Sequence, residues 1–425
     1  MIGAAILIVF AVMLIRSIRK PGVAVALVLL FFSGKELVQV SIPFFADHGP
    51  ILNFMVFGGL GLLWTYRALR GRAEMMLGIP REYGFHLAFF GLALLSMLWS
   101  MDPDVWEHFV ERAPNLFIFA LVVPSLAAST RGISEGYSWL TWVGGALCLA
   151  CLFVYAESSG SSRLMLEAEM AEGGMRGLNP LSLGGMGAFT TIVAVLGEHP
   201  RRRLITVLRL VAGTAGFLVV ARSSRGDLFA AIISLGLFAR IPHSSAKGFT
   251  GRRLASGLVI VAASAAALYY GLFLTDYWER YVDIANDPGT LLRQEMIGGV
   301  LNYYLEHPST WLFGSGWCSS YAIVGFYPHN GPVQALVELG LVGAVLWWSS
   351  VIFVFTHGIR LARQANRTGA RALDVLRPAL ALMLCSLISN MKAGDCVDIF
   401  LALTLATASQ LIRRFRSDSE KGVFR

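Results

Sequence analysis

The stretch of sequence that decides the fold is RRRLITVLRLVAGTAGFLVVARSSRGD, which runs from Arg201 to Asp227. Its apolar run, 204–221, approaches the ~20 residues that a helix needs to cross about 30 Å of hydrocarbon. Three arginines precede this run, and Arg222 and Arg225 follow it. The stretch therefore predicts a membrane-spanning helix with a polar turn directly after it.

Similar apolar runs recur along the whole chain. Of its 425 residues, 56% are hydrophobic and only 15% are charged, which is more apolar surface than one soluble core can bury. We therefore predict an all-α polytopic membrane protein with 12–13 transmembrane helices, forming one domain over residues 1–425. The predicted spans are 2–15, 22–45, 50–69, 84–100, 112–128, 138–156, 179–197, 204–221, 225–240, 254–274, 332–356, 376–391 and 397–412.

Charged residues alternate from loop to loop. The basic loops are 16–20, 67–81, 201–203, 247–253, 360–377 and 413–416, and cytoplasmic loops carry an excess of Lys and Arg. This bias predicts a multi-pass inner-membrane protein with a periplasmic N-terminus and a cytoplasmic C-terminus. The net charge of +8 is spread over these short loops, so no nucleic-acid partner is predicted.

Two further composition signals are structural. Basic residues follow the first apolar run, Met1 to Ile15, instead of preceding it, so we interpret this run as a retained helix and not as a signal peptide. The five cysteines have neither metal-ligand spacing nor a disulfide framework, and we expect them to be packing residues.

One long hydrophilic loop, of about 57 residues, covers 275–331 on the predicted periplasmic face. A loop of that length in a compact protein is usually functional. It contains an amphipathic helix predicted from Thr290, as its cap, to about Glu306, with apolar residues at Leu292, Met296 and Val300 on one stripe. Its two arginines are Arg280 and Arg293; Arg293 alone could also be a solvated partner of Glu295.

Arg222 and Arg225 lie on the face where the charge bias disfavours basic residues. Ser224 to Asp227 forms a Ser-x-x-Asp capping signature, which predicts a helix beginning at about Arg225. Backbone N–H groups and a guanidinium would then meet at one place, as in phosphate sites. The alternative is that Arg225 extends to the membrane interface or pairs with Asp227.

His329 stands directly before the helix predicted from Pro332, with Asn330 or Gly331 as the cap. A helix N-terminus disfavours the imidazolium form, and a neutral histidine can act as a general base. A loop histidine bonded to a backbone carbonyl is the structural alternative.

Two acidic motifs have structural explanations. Asp102-Pro103-Asp104 matches the Asp-x-Asp motif of metal-dependent glycosyltransferases, but it is also an ordinary helix start, which we favour. Lys35-Glu36 in the second span suggests a buried pair, since unpaired charges within a membrane are costly.

The order of these segments resembles the signature of the O-antigen ligase and polymerase family, which has an Arg, a second Arg, Pro, Gly-x-Gly, and His-Asn before Glu-x-Gly. The matching segments are Ser224-Arg225-Gly226, Arg293, His307-Pro308, Gly314-Ser315-Gly316, His329-Asn330 and Glu338-Leu339-Gly340. The resemblance covers about 223–348, with weaker echoes at Leu98-Trp99-Ser100 and Asn179-Pro180.

The resemblance implies a GT-C-like membrane glycosyltransferase of about twelve helices that uses no metal and no cofactor. The implied donor is a glycan on undecaprenyl diphosphate, and the transfer is inverting. The implied catalytic residues are His329, Arg293 and Arg225. We expect Arg222, Asn330, Arg280 and Tyr327 to bind the diphosphate or the glycan.

Several functions remain open. A ligase would use lipid A-core as the acceptor, a polymerase another lipid-linked glycan, and a protein O-glycosyltransferase a Ser, Thr or Tyr side chain. We favour the ligase. A transporter of lipid-linked glycans is a more remote alternative, because transporters place charges at mid-membrane, whereas the polar residues here gather at one face. A glycosyltransferase that binds a metal at Asp102 and Asp104 is a further alternative.

Overall fold

The computed structural model describes residues 2–70, 80–126, 129–154, 167–169, 175–177, 179–197, 203–239, 288–368 and 373–420. These ranges are almost entirely helical, and they confirm the all-α membrane class. The exception is a small antiparallel pair, in which β1 (Glu167–Glu169) bonds to β2 (Met175–Gly177) in the loop before the seventh predicted span.

The helices follow the predicted apolar runs. The first half contains α1 (Ile2–Arg19), α2 (Val23–Ser41), α3 (Pro43–Asp47), α4 (Gly49–Asn53), α5 (Gly59–Leu69), α6 (Arg81–Ser96), α7 (Val105–Phe117), α8 (Val123–Leu126) and α9 (Thr130–Val154). π-helical turns at Phe54–Gly58 and Ile118–Val122 connect α4 to α5 and α7 to α8, and a 3-10 turn at Met97–Trp99 extends α6. The second half contains α10 (Pro180–Leu196), α11 (Arg203–Ser223), α12 (Arg225–Ala239), α13 (Pro288–Glu306), a 3-10 turn at Pro308–Thr310, α14 (Ser319–Val324), α15 (Gly331–Thr368), α16 (Leu373–Ala393) and α17 (Ile399–Glu420).

Each predicted span except 254–274, which lies outside the described residues, coincides with a helix. Within the described ranges, nine helical segments are long and apolar enough to cross a membrane. Some ends differ from the prediction. The second span stops at Ser41, because Pro43 begins a separate short helix, and α7 and α9 start at Val105 and Thr130, seven and eight residues earlier than predicted.

The long loop also differs in detail from its prediction. Its helix, α13, begins at Pro288, because proline fits the first turn of a helix, where its missing N–H is not needed. Met296 and Val300 are buried, but Leu292 is 56% exposed. The predicted apolar stripe is therefore only partly covered by the rest of the protein.

The most buried helices are α2 and α16, which lie at the centre of the bundle. α2 packs against α1, α9 and α10, and α16 packs against α12, α15 and α17. Phenylalanines fill the space between these helices, as shown by the edge contacts of Phe400 with Phe32 and Phe119. All five cysteines are buried and free, which confirms their role as packing residues.

The polar residues gather at the two ends of the bundle. At one end, here named the basic end, Lys20 forms an ion pair with Glu135 at 3.2 Å, and Arg416 forms one with the buried Glu82 at 2.5 Å. The opposite end, here named the site end, contains the turns around 41–49, 97–104, 224, 325–331 and 394–398. The turns that lie within the described residues alternate between these ends in the order that the charge pattern predicted.

Candidate active site

His329 lies at the site end, two residues before α15, in a left-handed backbone conformation with a φ of 54°. That conformation is uncommon for a residue with a side chain and is typical of functional sites. The His329 ring packs 4.4 Å from the Tyr327 ring and 5.3 Å from the Phe326 ring, measured between centroids. Its Nδ1 atom is buried and has no hydrogen-bond partner in the protein.

The electrostatic surroundings keep this histidine neutral. Burial lowers the pKa of His329 below its ordinary value of 6.5, the positive charge of Arg293 lowers it further, and a hydrogen bond with the Ala393 backbone opposes these effects. Burial likewise raises the pKa of Tyr327, and Arg293 partly offsets this rise. Arg293 on α13 therefore lies close enough to act on both side chains, as the predicted site requires.

Arg225 begins α12, and its neighbours confirm the predicted cap. The Asp227 N–H donates to Ser224 Oγ at 3.3 Å, as in a capping box, but the Asp227 carboxylate instead accepts a hydrogen bond from Ser389 Oγ at 2.5 Å. A side chain added at Gly226 would overlap the Lys392 side chain. The start of α12 thus packs against the end of α16, and Arg222 lies in the turn of α11 just before it.

Asn330 connects the His329 loop to the same helix. Its Nδ2 donates to Met391 O at 2.9 Å, and its Oδ1 accepts the N–H of Val333 at 3.1 Å, which confirms Asn330 as the cap of α15. Because both the His329 loop and the start of α12 contact residues 389–393, the structure brings the regions of His329 and Arg225 together around the end of α16. Arg280 lies outside the described residues.

Four helices begin at this one place, each with a polar side chain that accepts a backbone N–H of its first turn. The bonds are Leu181 N to Asn179 Oδ1 at 3.0 Å, Asp227 N to Ser224 Oγ at 3.3 Å, Val333 N to Asn330 Oδ1 at 3.1 Å and Leu401 N to Asp398 Oδ1 at 2.7 Å. Helix N-termini carry partial positive charge. The four helix starts therefore place partial positive charge beside the Asp227 and Asp398 carboxyl groups at this end.

Two glycine turns, at Gly314 and Gly340, fasten the loop that carries His329 to α15. Gly314 has a φ of 75°, and a side chain there would overlap the Glu338 and Leu339 backbone; Gly340 has a φ of 67° and lies against Leu312. The buried Glu338 carboxylate accepts the N–H groups of Cys318 at 2.9 Å and Ser320 at 3.2 Å. The Gly-x-Gly and Glu-x-Gly motifs thus form one contact between the loop and α15.

The Asp102 turn has the predicted structural role. Asp102 Oδ1 accepts the Asp104 N–H at 3.1 Å, and Asp104 O accepts the His108 N–H at 3.1 Å as α7 begins. The Asp102 carboxylate also lies 3.3 Å from His108 Nε2. The two residues that the sequence suggested as a buried pair each bond to another helix. Lys35 Nζ donates to Asn53 Oδ1 at 2.9 Å, and Glu36 accepts a hydrogen bond from Ser182.

Sequence reasoning missed the charged turn between α16 and α17. Lys392, Asp395 and Asp398 lie within seven residues between two apolar spans, a density that could have marked the turn. Asp395 forms an ion pair with Arg112 of α7, which also donates to Tyr321 Oη at 2.9 Å. This pair ties α7, α14 and the charged turn together beside Tyr327.

One comparison with known proteins finds a match, in the part of the chain that carries these residues. No curated protein matches the chain. Residues 210–348, which include Arg225, Arg293, both glycine motifs and His329, match the family described as O-antigen ligase. This match confirms the resemblance seen in the sequence: over this segment, the chain is similar to the O-antigen ligase family.

Proposed function

We propose that this protein is a ligase that transfers a glycan from undecaprenyl diphosphate to a hydroxyl of lipid A-core, with inversion and without a metal. The site end would face the periplasm and the basic end the cytoplasm of a bacterial inner membrane, since basic loops favour the cytoplasmic side. The observation that carries the proposal is the neutral His329 with an unpartnered, buried Nδ1 atom beside Arg293.

The histidine supplies the base. An acceptor hydroxyl must lose its proton as its oxygen attacks the anomeric carbon, and a neutral imidazole nitrogen can accept that proton. The Nδ1 atom has no hydrogen-bond partner within the protein, so no other residue uses its bonding capacity. The lowered pKa keeps the ring neutral near pH 7, and in the tautomer that carries its proton on Nε2 the Nδ1 lone pair can accept the proton of the acceptor hydroxyl.

The leaving group is an anion, and the site end is suited to stabilise one. Breaking the bond between the glycan and the diphosphate leaves two to three negative charges on the diphosphate, and guanidinium groups stabilise such charge bidentately. In this proposal Arg225 and Arg293 bind the diphosphate, helped by the partial charges of the helix N-termini. Arg222, Arg280, Asn330 and Tyr327 would complete the binding of the diphosphate and the adjoining glycan.

A polymerase that uses the same donor is the second candidate, because the matched family is shared by ligases and polymerases. The two differ in the acceptor, which is lipid A-core for a ligase and another lipid-linked glycan for a polymerase. A transporter is less consistent with the structure, since His329, Arg293 and Arg225 lie at one end of the bundle and not at mid-membrane.

The test is a transfer assay in detergent with EDTA, using purified undecaprenyl-diphosphate glycan and lipid A-core. Wild type should transfer the glycan, while His329→Ala should bind the donor but transfer nothing measurable. His48→Ala is the matched control, because His48 is exposed at the same end and bonds only locally, to Phe44 O at 2.9 Å. Elongation of the donor glycan by wild type would favour the polymerase, and inhibition by EDTA would contradict the metal-free mechanism.

A further inference from the structure

A cavity of about 270 Å³ opens beside the candidate active site, between the site-end halves of α2, α10, α12, α16 and α17. Tyr327 and Ala393 line it, and these residues also contact the His329 ring. Small-molecule sites typically have volumes from about 300 Å³ upward. The cavity therefore suits one small ring, held next to the proposed base, better than an oligosaccharide.

Three carboxylates from three helices line this cavity. Glu36 accepts hydrogen bonds from Ser182 Oγ and from the Asn179 backbone, Asp227 accepts from Ser389, and Asp398 accepts from Leu401 N. A carboxyl group has more acceptor positions than these bonds occupy, so each can accept further bonds. A carboxyl group within a spanning helix, as at Glu36, is costly and is by default a functional candidate.

A polar atom in the cavity wall independently points to a ligand. Ser386 lines the cavity and is only 3% exposed, yet Ser386 Oγ has no hydrogen-bond partner in the protein. Leaving such an atom unsatisfied costs about 1–3 kcal/mol. A ligand that carries several hydroxyl groups would satisfy this atom together with the carboxyl groups.

Aromatic rings form the remaining wall. Phe32 and Phe189 each pack against Phe400, with centroids 5.8 and 5.7 Å apart, and all three line the cavity. A sugar ring has C–H faces that pack on apolar rings and edges of hydroxyl groups that bond to carboxylates and amides. Among the described residues that line the cavity, none is Lys or Arg.

We propose that this cavity binds one uncharged sugar ring of the glycan substrates, placed beside His329. The inference rests on the proposed glycosyltransferase function and adds the chemical class of sugar. The ring could belong to the donor, as the sugar attached to the diphosphate, or to the acceptor, as the sugar that carries the attacking hydroxyl. Both sources present the same chemistry to the cavity.

The experiment measures transfer with lipid-linked glycan and lipid A-core purified from the producing cells, in detergent. The variants are Glu36→Gln, which replaces one carboxyl oxygen by an amide group and keeps the volume, and Ser386→Ala. The matched control is Ser234→Ala, because Ser234 Oγ is equally buried and unpartnered but does not line the cavity. Thermal unfolding of each variant is measured alongside, so that a folding defect is recognised.

Glu36→Gln should raise the KM of one substrate by about fivefold, the factor that corresponds to the loss of one ordinary hydrogen bond, and Ser386→Ala should raise the same KM less. A change in the donor KM assigns the sugar to the donor, and a change in the acceptor KM assigns it to the acceptor. If both variants fold and behave like Ser234→Ala, the cavity proposal is wrong while the proposed function stands. If wild type transfers nothing although it folds, the proposed function fails, and this inference fails with it.

Discussion

The Glu338 carboxylate accepts the Cys318 backbone N–H at 2.9 Å and thereby fastens the long loop to α15. Ser320 N–H and Gln334 Nε2 bond to the other carboxylate oxygen, at 3.2 and 3.0 Å. The carboxylate is completely buried, so these three bonds replace water. The same helix begins at the His329 loop, and the position of the proposed base therefore depends on this contact.

We predict that Glu338→Ala destabilises the protein by about 3 kcal/mol or more, because it leaves buried donors unsatisfied. Glu338→Gln should destabilise it less but measurably, since its amide places a donor against one of the backbone N–H groups. The measurement is thermal unfolding in detergent. Glu306→Gln, at an exposed position on α13, serves as the control, and equal unfolding temperatures for all four proteins would contradict the role given to Glu338.

A second prediction separates the effect of backbone strain from that of close packing at two glycines of the long loop. Gly314 and Gly325 both have positive φ, of 75° and 82°, but only at Gly314 would a side chain meet other atoms. Alanine at either position adopts the left-handed conformation at a cost of roughly 1–2 kcal/mol. Gly314→Ala should therefore lower the unfolding temperature clearly more than Gly325→Ala, and a similar decrease in both would show that the contact with Glu338 contributes little.

The sequence predicted those features that depend on neighbouring residues. Apolar runs marked the spanning helices, and Ser224 and Asn330 were recognised as caps because a cap bonds within its own first turn. It did not predict the partners of Arg112 and Glu36, since Asp395 is 283 positions away from Arg112 and Ser182 is 146 away from Glu36. Such pairs depend on how the helices are arranged, which no local pattern records.

The orientation of the bundle gives a third prediction. Ser309 is exposed in the long loop and Lys20 is exposed at the basic end. In intact cells with a permeabilised outer membrane, a membrane-impermeant maleimide should label Ser309→Cys and leave Lys20→Cys unlabelled until the inner membrane is opened. The native protein is the control, because its five cysteines are buried. Labelling of Lys20→Cys alone would reverse the proposed orientation.

The fourth prediction concerns pH. Burial and the charge of Arg293 lower the pKa of His329 below 6.5, so the neutral base persists to more acidic pH than an ordinary histidine would allow. The kcat/KM of transfer should therefore remain high at pH 6.5 and fall only as the pH drops through the lowered pKa, where the ring becomes protonated.

Removing the charge at position 293 tests the cause of this shift. In Arg293→Gln the repulsion of the imidazolium is lost, so the pKa of His329 rises and the acid limb of the residual activity moves to higher pH. Arg131→Gln should leave the limb in place, because Arg131 is 91% exposed and pairs with Glu135 at the basic end. A shift of the acid limb along the pH axis distinguishes a direct effect on the base from weaker donor binding. Loss of a diphosphate contact alone lowers kcat/KM at every pH and leaves the acid limb where it was. An acid limb that stays in place in Arg293→Gln would mean that Arg293 acts on the donor only.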